Sequence, residues 1–107
     1  MRILFDHGTP KGLSRMLQGH AITTAKTRGW EKLTNGALLQ IAEQAGFDLL
    51  ITTDKNLRYQ QNITGRKIAI LALGNPELPT IRRNLDRILE AVALATPGSY
   101  RQLEMSR

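Results

Sequence analysis

The chain has 107 residues, which is enough for one domain with a single hydrophobic core. It has no cysteine, which excludes disulfides and thiolate metal sites, and no run approaches the roughly 20 apolar residues of a membrane span. Its net charge of +6 favours contact with polyanions, although a basic protein can also bind an acidic partner. We expect one cytoplasmic domain, residues 1–107, without membrane contact.

The chain begins with a short apolar run, residues 1–5, which predicts a buried strand. We expect Thr9 to be the N-cap of a short helix, with Pro10 at its first position. Gly19 ends that helix. The β-prone residues 20–25 then predict a second strand.

The middle of the chain predicts a loop, a helix and a strand. Residues 26–33 form a polar loop, after which Thr34 can cap a helix over about residues 35–45. Gly46 stops this helix. Residues 47–53 are a continuous apolar run, which is typical of a strand buried on both faces.

The second half completes a layered fold. Residues 54–65 predict an irregular polar loop, and residues 67–73 predict a fourth strand. A last helix is expected from about residues 79–80 to the break at residues 96–98. Residues 99–107 predict either a short edge strand or a loose tail. The order of elements predicts a three-layer α/β/α sandwich around a mainly parallel sheet of four or five strands.

Two of the apolar runs end in an aspartate. Asp6 follows the first strand and Asp54 follows the third. The carboxyl ends of parallel strands meet at one edge, where open α/β sheets bind ligands. Either aspartate could instead only accept hydrogen bonds from its own turn. If the two converge, a basic protein with paired carboxylates favours a divalent cation and a phosphate-bearing substrate.

Other polar residues are ranked by their distance from that edge. Asp48 starts the third strand, so we expect it about 20 Å away at the opposite edge. Glu43 lies near the far end of the second helix. Glu31 lies nearer the site, and Asn35 nearer still. An amide oxygen such as that of Asn35 can ligate magnesium without adding negative charge.

Histidine, aromatic and basic residues complete the candidates. His7 and His20 have no second histidine at zinc spacing, so a zinc site is not favoured. Trp30 and Tyr59 lie in loops beside basic residues, where rings can stack on unpaired bases, although Trp30 can also pack over the helix start. The basic residues near the two aspartates are Lys11, Lys26, Arg28, Lys55 and Arg58.

Two segments, RILFDHGTPKGLSRML and TNGALLQIAEQAGFDLLITTDKNL, resemble the PIN-like group of small toxin-type proteins, relatives of the PIN-domain ribonucleases. The resemblance covers about the first 75 residues, and RKIAILALGNP fits the next strand. It implies a PIN-like sandwich with acidic residues at one sheet edge, which hold magnesium or manganese for phosphodiester hydrolysis. It also implies a toxin that is bound by a small antitoxin encoded nearby.

Within this resemblance, Asp6 matches the acid after the first strand, and Asp54 matches the acid of the T-x-D segment. Two positions depart from the pattern, because Asn35 and Asn56 stand where the family usually has aspartates. Each missing charge removes on the order of 4 kcal/mol of Coulomb attraction at about 4 Å, before desolvation. A two-metal arrangement is therefore weakened, whereas one ion held by Asp6, Asp54 and Asn35 remains compatible.

The first hypothesis is a Mg²⁺-dependent endoribonuclease of PIN-like toxin type, with Mn²⁺ as the alternative ion. Its catalytic and metal-binding residues would be Asp6, Asp54 and Asn35. The residues expected to bind RNA are Lys11, Arg28, Lys55, Arg58 and Trp30. Expected partners are RNA and a cognate antitoxin, and the exposed side of the last helix also allows a homodimer.

Two rival functions remain open. The second hypothesis is a non-catalytic PIN-like module whose degraded acidic site leaves a surface for RNA or a partner protein. The third is a phosphoacceptor domain of receiver type, which also carries aspartates at strand ends. A receiver needs an adjacent acidic pair near the first strand, whereas Asp6 is flanked by Phe5 and His7.

Overall fold

The computed structural model describes residues 1–57 and 65–105, which contain one five-stranded sheet. Its strands are β1 (Arg2–Phe5), β2 (Ala21–Thr24), β3 (Leu49–Thr52), β4 (Ala69–Leu73) and β5 (Tyr100–Leu103). Their order across the sheet is β2-β1-β3-β4-β5, and every neighbouring pair runs parallel. The predicted α/β fold with a parallel sheet is therefore confirmed.

Helices cover both faces of this sheet. They are a 3₁₀-helix (Lys11–Met16), α1 (Asn35–Gln44), α2 (Leu78–Arg83) and α3 (Leu85–Leu94). One apolar cluster joins Phe5 and Ile51 to Ile88 of α3, and a second joins Leu50 to Leu39 of α1. Successive strand residues point to opposite faces, so these buried strands supply both clusters. No helix in the described parts of the chain is long and apolar enough to cross a membrane.

The first predicted helix forms with a different start. It is a 3₁₀-helix whose N-cap is Pro10, and Pro10 makes no side-chain capping bond. Thr9 is not the N-cap, because its hydroxyl lies against Asp6 and the Ile51 carbonyl. The charge-assisted hydrogen bond to the buried Asp6 carboxylate fixes the Thr9 side chain at the acidic turn, so a contact outside the helix overrides the local capping preference.

The second half differs from prediction in one place, and the structure decides between two alternatives in another. The last helix is broken at Asn84, whose Nδ2 donates to the Thr80 carbonyl at 2.8 Å. Residues after the break continue as α3. The tail, for which strand and loose chain were both open, forms β5 with Leu103 buried. Most of the predicted loop over residues 54–65 lies outside the described residues, since 58–64 are not described.

The strand order determines where a ligand can bind. From β1 the chain goes to β2 on one side and then returns to β3 on the other side of β1. Doubly wound sheets of this order open a crevice at the carboxyl ends of the two strands where the direction reverses. Asp6 follows one of those strands, and Thr52 ends the other. The fold therefore brings the two aspartate-bearing turns to the crevice.

Candidate acidic site at the carboxyl edge of the sheet

Asp6 is a buried carboxylate, with only 5% of its surface exposed. Thr9 Oγ1 donates to Asp6 Oδ1 at 2.7 Å, and Thr52 Oγ1 donates to Asp6 Oδ2. Its backbone N–H continues the sheet by donating to the Ile51 carbonyl at 3.2 Å. A buried charge is costly unless it is hydrogen-bonded, so the two hydroxyls offset the cost of placing this carboxylate at the crevice.

Asp54 is half-buried and lies two residues beyond β3. Its Oδ1 accepts from the Asn56 backbone N–H at 2.9 Å, which is the turn-stabilising role that the sequence left open. Its Oδ2 accepts from Nδ2 of Asn35, the first residue of α1. Thr34 caps α1 as predicted, because its hydroxyl accepts from the Ala37 N–H at 3.3 Å. Asp54 therefore connects the β3 turn to the start of this helix.

Thr52 joins the two aspartates. Its hydroxyl donates to Asp6 Oδ2 and accepts from the Asp54 backbone N–H at 3.0 Å. Asp6, Thr52, Asp54 and Asn35 thus form one continuous chain of hydrogen bonds. Sequence reasoning missed Thr52 and Thr9. The sequence signal for Thr52 was its place at the end of an apolar strand, directly before Thr53 and Asp54.

Gly8 allows the turn after β1 to approach β3 closely. A Cβ atom placed on Gly8 would lie 2.5 Å from Thr53 Oγ1 and 3.8 Å from Asp6 Oδ1. The first distance is shorter than any ordinary non-bonded contact, so a side chain here would displace Thr53 or the turn. Glycine therefore keeps Asp6 next to the end of β3.

An open cleft of about 880 Å³ adjoins this network. Its volume falls in the usual range of ligand pockets. It lies between the turn after β1 and the loop after β2, and the lining residues are Asp6, His7, Gly8, Thr9, Pro10, Lys11, Thr24, Lys26, Thr27 and Glu31. Glu31 thus shares the cleft with Asp6, whereas Asn35 and Asp54 are not among the lining residues.

The basic residues predicted to bind RNA lie in different places. Lys11 is exposed and lines the cleft, and Lys55 is exposed directly after Asp54. Lys26, which was noted only as a nearby charge, also lines the cleft. Arg58 lies outside the described residues, as does Tyr59.

Arg28 and Trp30 contact a different part of the fold. The Trp30 ring meets Phe47 edge to face, with ring centroids 6.2 Å apart. The Arg28 guanidinium carbon lies 5.4 Å from the Trp30 centroid and 5.3 Å from the Phe47 centroid. Phe47 precedes β3, so this group packs on the α1 cluster toward the amino edge of the sheet. Neither residue lines the cleft.

Asp48 and Glu43 lie at the amino edge of the sheet, as expected from the sequence. Asp48 Oδ2 accepts from the Arg2 backbone N–H at 2.8 Å. Glu43 Oε2 accepts from the Lys67 backbone N–H at 2.6 Å, and Oε1 lies 3.6 Å from an Arg66 guanidinium nitrogen. The Lys67 N–H, above all, holds the pKa of Glu43 below its ordinary value. Both carboxylates are therefore structural.

The donors at the carboxyl edge suit a hard cation. Magnesium is usually held by one or two carboxylates, together with water and substrate phosphates, so the donor types of Asp6 and Asp54 suit such an ion. Asn35 turns its amide nitrogen toward Asp54 and thus acts as a donor rather than a ligand in this arrangement. Within residues 1–57 and 65–105, no group of three or more His, Cys, Asp or Glu side chains is placed to hold a metal.

The histidines do not add to this donor set. His7 is exposed and lines the cleft, whereas His20 Nδ1 lies 3.3 Å from the N-terminal nitrogen of Met1. The site therefore consists of two aspartates whose turns are joined through Thr52, and Asp6 also lines a cleft that carries lysines. No protein-family model, curated protein or solved structure matches this chain.

Proposed function

We propose that the chain is a Mg²⁺-dependent endoribonuclease of PIN-like toxin type, which hydrolyses phosphodiester bonds of RNA in the cytoplasm. The observation that carries the proposal is the single Thr52 hydroxyl that hydrogen-bonds both the Asp6 carboxylate and the Asp54 backbone. It joins the two acidic turns at the crevice where open α/β sheets bind ligands. The adjoining cleft and the net charge of +6 support a polyanionic substrate.

Asp6 and Asp54 would hold the magnesium or manganese ion. Such an ion supplies an activated water and stabilises negative charge on a scissile phosphate. Thr9 and Thr52 fix both oxygens of Asp6, so this carboxylate is oriented before any ligand arrives. Asn35 orients Asp54 in the same way. Partners that orient ligands typically change metal affinity or activity by about 10–100-fold.

The decisive experiment is cleavage of a labelled single-stranded RNA in the presence of magnesium. Asp6→Asn and Asp54→Asn should each lower the cleavage rate by about a hundredfold or more, because each removes a charged ligand. Asp48→Asn is the matched control, since it removes the same charge at the amino edge of the sheet. Equal cleavage by wild type and Asp6→Asn would disprove the proposal.

A non-catalytic module is the second candidate, and one observation favours it. Both oxygens of Asp54 already accept hydrogen bonds, one from the Asn56 N–H and one from the Asn35 amide. In this case the wild type would bind RNA without cutting it. The double variant Asn35→Asp/Asn56→Asp should then create metal-dependent cleavage. Cleavage by the wild type itself would exclude this candidate.

The toxin proposal also requires a partner. A small antitoxin encoded beside this chain should co-purify with it and suppress cleavage. The exposed side of α3 carries apolar surface for such a contact or for a homodimer, since Leu89 is 38% exposed and Leu94 is 57% exposed. Co-expression with the neighbouring reading frame, followed by size-exclusion chromatography with light scattering, distinguishes monomer, homodimer and hetero-complex.

A further inference from the structure

We infer that the phosphate backbone of single-stranded RNA lies along the cleft that Asp6 shares with Lys11 and Lys26, and that both lysines bind it. This inference rests on the proposed function and assigns the path of the substrate at that site. It moves the contact surface away from Arg28 and Trp30, which the sequence had favoured.

The cleft has two walls that come from different turns. One wall is the turn after β1, from His7 to Lys11, and the other is the loop after β2, which contributes Thr24, Lys26 and Thr27. The two lysines therefore reach the cleft from two different segments of the chain. A strand that lies along the cleft would contact both.

Both lysines project from backbone that is fixed locally. Ser14 Oγ donates to the Lys11 carbonyl at 2.8 Å. Lys26 lies inside a threonine turn, in which the Thr27 N–H donates to Thr24 Oγ1 at 3.2 Å, and its own carbonyl accepts from the Gly29 N–H at 3.0 Å. Fixed backbone with a mobile ammonium group suits contact to phosphate, which needs charge more than exact geometry.

Neither ammonium group is neutralised by a neighbour. Lys11 and Lys26 are both exposed, and within the described residues neither takes part in an ion pair. By contrast, the Arg28 guanidinium is stacked against Trp30 and Phe47. The two lysines of the cleft are thus the better placed phosphate contacts.

The negative charge of Glu31 repels phosphate in the same cleft. Its side chain is exposed and lines the cleft together with Asp6. The two carboxylates oppose the effect of the two ammonium groups on phosphate, so removing a lysine should lower RNA affinity and removing the Glu31 charge should raise it. This balance permits a test in which one variant weakens binding and another strengthens it.

The floor of the cleft favours a single strand. Asp6 is only 5% exposed, so a phosphate that reaches it must enter the cleft. An unpaired strand can bend into such a depression, whereas the backbone of a duplex is held on the outside of a wide cylinder. Single-stranded RNA is therefore the substrate class that the cleft fits.

The test is fluorescence anisotropy with a labelled single-stranded RNA of mixed sequence, titrated at several salt concentrations. Chelator in the buffer prevents metal-dependent cleavage, so binding is measured alone. Lys11→Ala and Lys26→Ala should each reduce the slope of log affinity against log salt by about 0.7, and weaken binding about fourfold near 0.15 M salt. Glu31→Gln should strengthen binding severalfold. Lys67→Ala, at the amino edge of the sheet, is the matched control and should change neither quantity.

The inference would be overturned by no binding by the wild type, by unchanged slopes in both cleft variants, or by an equal loss in Lys67→Ala. Equal binding of the same sequence as a duplex would also overturn it. The proposed nuclease activity fails separately. If binding depends on the two lysines but RNA is never cut, only the activity is wrong. If RNA is cut but its affinity does not depend on Lys11 or Lys26, only the proposed path of the RNA is wrong.

Discussion

At the scale of single residues, the Thr52 hydroxyl is the atom on which the acidic site depends. It donates to the buried Asp6 carboxylate and accepts from the Asp54 N–H. Thr52→Val keeps the shape but leaves both groups without this partner, so we expect about 2 kcal/mol lower free energy of unfolding in urea. Thr52→Ser should recover most of the loss because it keeps the hydroxyl.

The control for this substitution is Thr23→Val in β2. Thr23 is half-exposed, so the same chemical change should alter the free energy of unfolding by no more than about 0.5 kcal/mol. Similar values for Thr52→Val and Thr23→Val would show that the Thr52 hydroxyl does not stabilise the two turns.

Gly8 supports the same site by steric means. Gly8→Ala places a Cβ 2.5 Å from Thr53 Oγ1, and we expect it to lower the free energy of unfolding by about 1–3 kcal/mol. The φ angle of Gly8 is not positive, so the cost comes from contact rather than from backbone strain. In a double-mutant cycle, Thr53→Ala should relieve the cost, whereas Thr53→Ser keeps the oxygen and should not. Equal effects in the two backgrounds would exclude this contact.

Residue type and position predicted part of the site. Asp6 and Asp54 could be chosen because a charged residue directly after a buried apolar run is conspicuous. Thr52 and Thr9 could not, since threonine is common in strands and before helices, and the contacts of Thr52 with Asp6 and of Thr9 with Ile51 each join residues more than 40 positions apart. The contact of Trp30 with Phe47 could not be predicted either, because an aromatic residue in a loop can stack on bases or pack on the core.

At the scale of elements, Glu43 connects α1 to the start of β4. Its pKa is lowered first by the hydrogen bond from the Lys67 N–H, and further by the Ile68 N–H and Arg66. A carboxyl whose pKa is depressed in the fold stabilises the protein above its unfolded pKa, and the effect is lost as pH falls through the folded pKa. We expect Glu43→Gln to cost about 1 kcal/mol near neutral pH.

The measurement is the free energy of unfolding of wild type and Glu43→Gln across a pH series. The difference between the two should be constant near neutrality and shrink as pH falls below the ordinary value of 4.5. Glu90→Gln, on the exposed side of α3, controls for the loss of one negative charge. A difference that does not change with pH would contradict the role assigned to the ionised form.

Elements with strong local signals were predicted well, and those that depend on tertiary contact were not. α1 has a capping threonine, an apolar face and a terminating glycine, so its bounds followed from the sequence. The last helix also has a helical period throughout, but Asn84 interrupts it by donating to the Thr80 carbonyl. β5 has few apolar residues, and its assignment depends on pairing with β4 and burial of Leu103.

At the scale of the whole molecule, the strand order brings the turns after β1 and β3 together at one edge of the sheet. Local sequence indicated parallel strands but not that β1 would lie between β2 and β3, because order depends on which crossovers bury both faces. The same order separates the carboxylates into two groups. Asp6 and Asp54 lie at one edge, while Asp48 and Glu43 bind backbone N–H groups at the other. The proposed ion site therefore lies at one end of β3, and the carboxylates that bind backbone N–H groups lie at the other.

This separation allows ion binding to be tested without reference to cleavage. A ligand that binds only the folded state stabilises it by about 2.7 kcal/mol at one hundred times its dissociation constant. For a domain of this size, that corresponds to a rise of roughly 10 °C in the thermal midpoint. We expect magnesium or manganese to raise the midpoint of the wild type, and chelator to reverse the rise. Asp6→Asn and Asp54→Asn should each lose it, because each removes half of the charge available to the ion.

Asp48→Asn is the control that shows whether the thermal shift depends on the carboxyl edge of the sheet or on general charge. This variant should start from a lower midpoint, since it weakens the bond to the Arg2 N–H, yet it should rise with added ion as much as the wild type does. A shift retained in Asp6→Asn would mean that the ion binds elsewhere on the surface. A shift lost equally in Asp48→Asn would mean that general charge, rather than the crevice between β1 and β3, attracts the ion. Only a loss confined to the carboxyl edge supports a metal site built from these two strand ends.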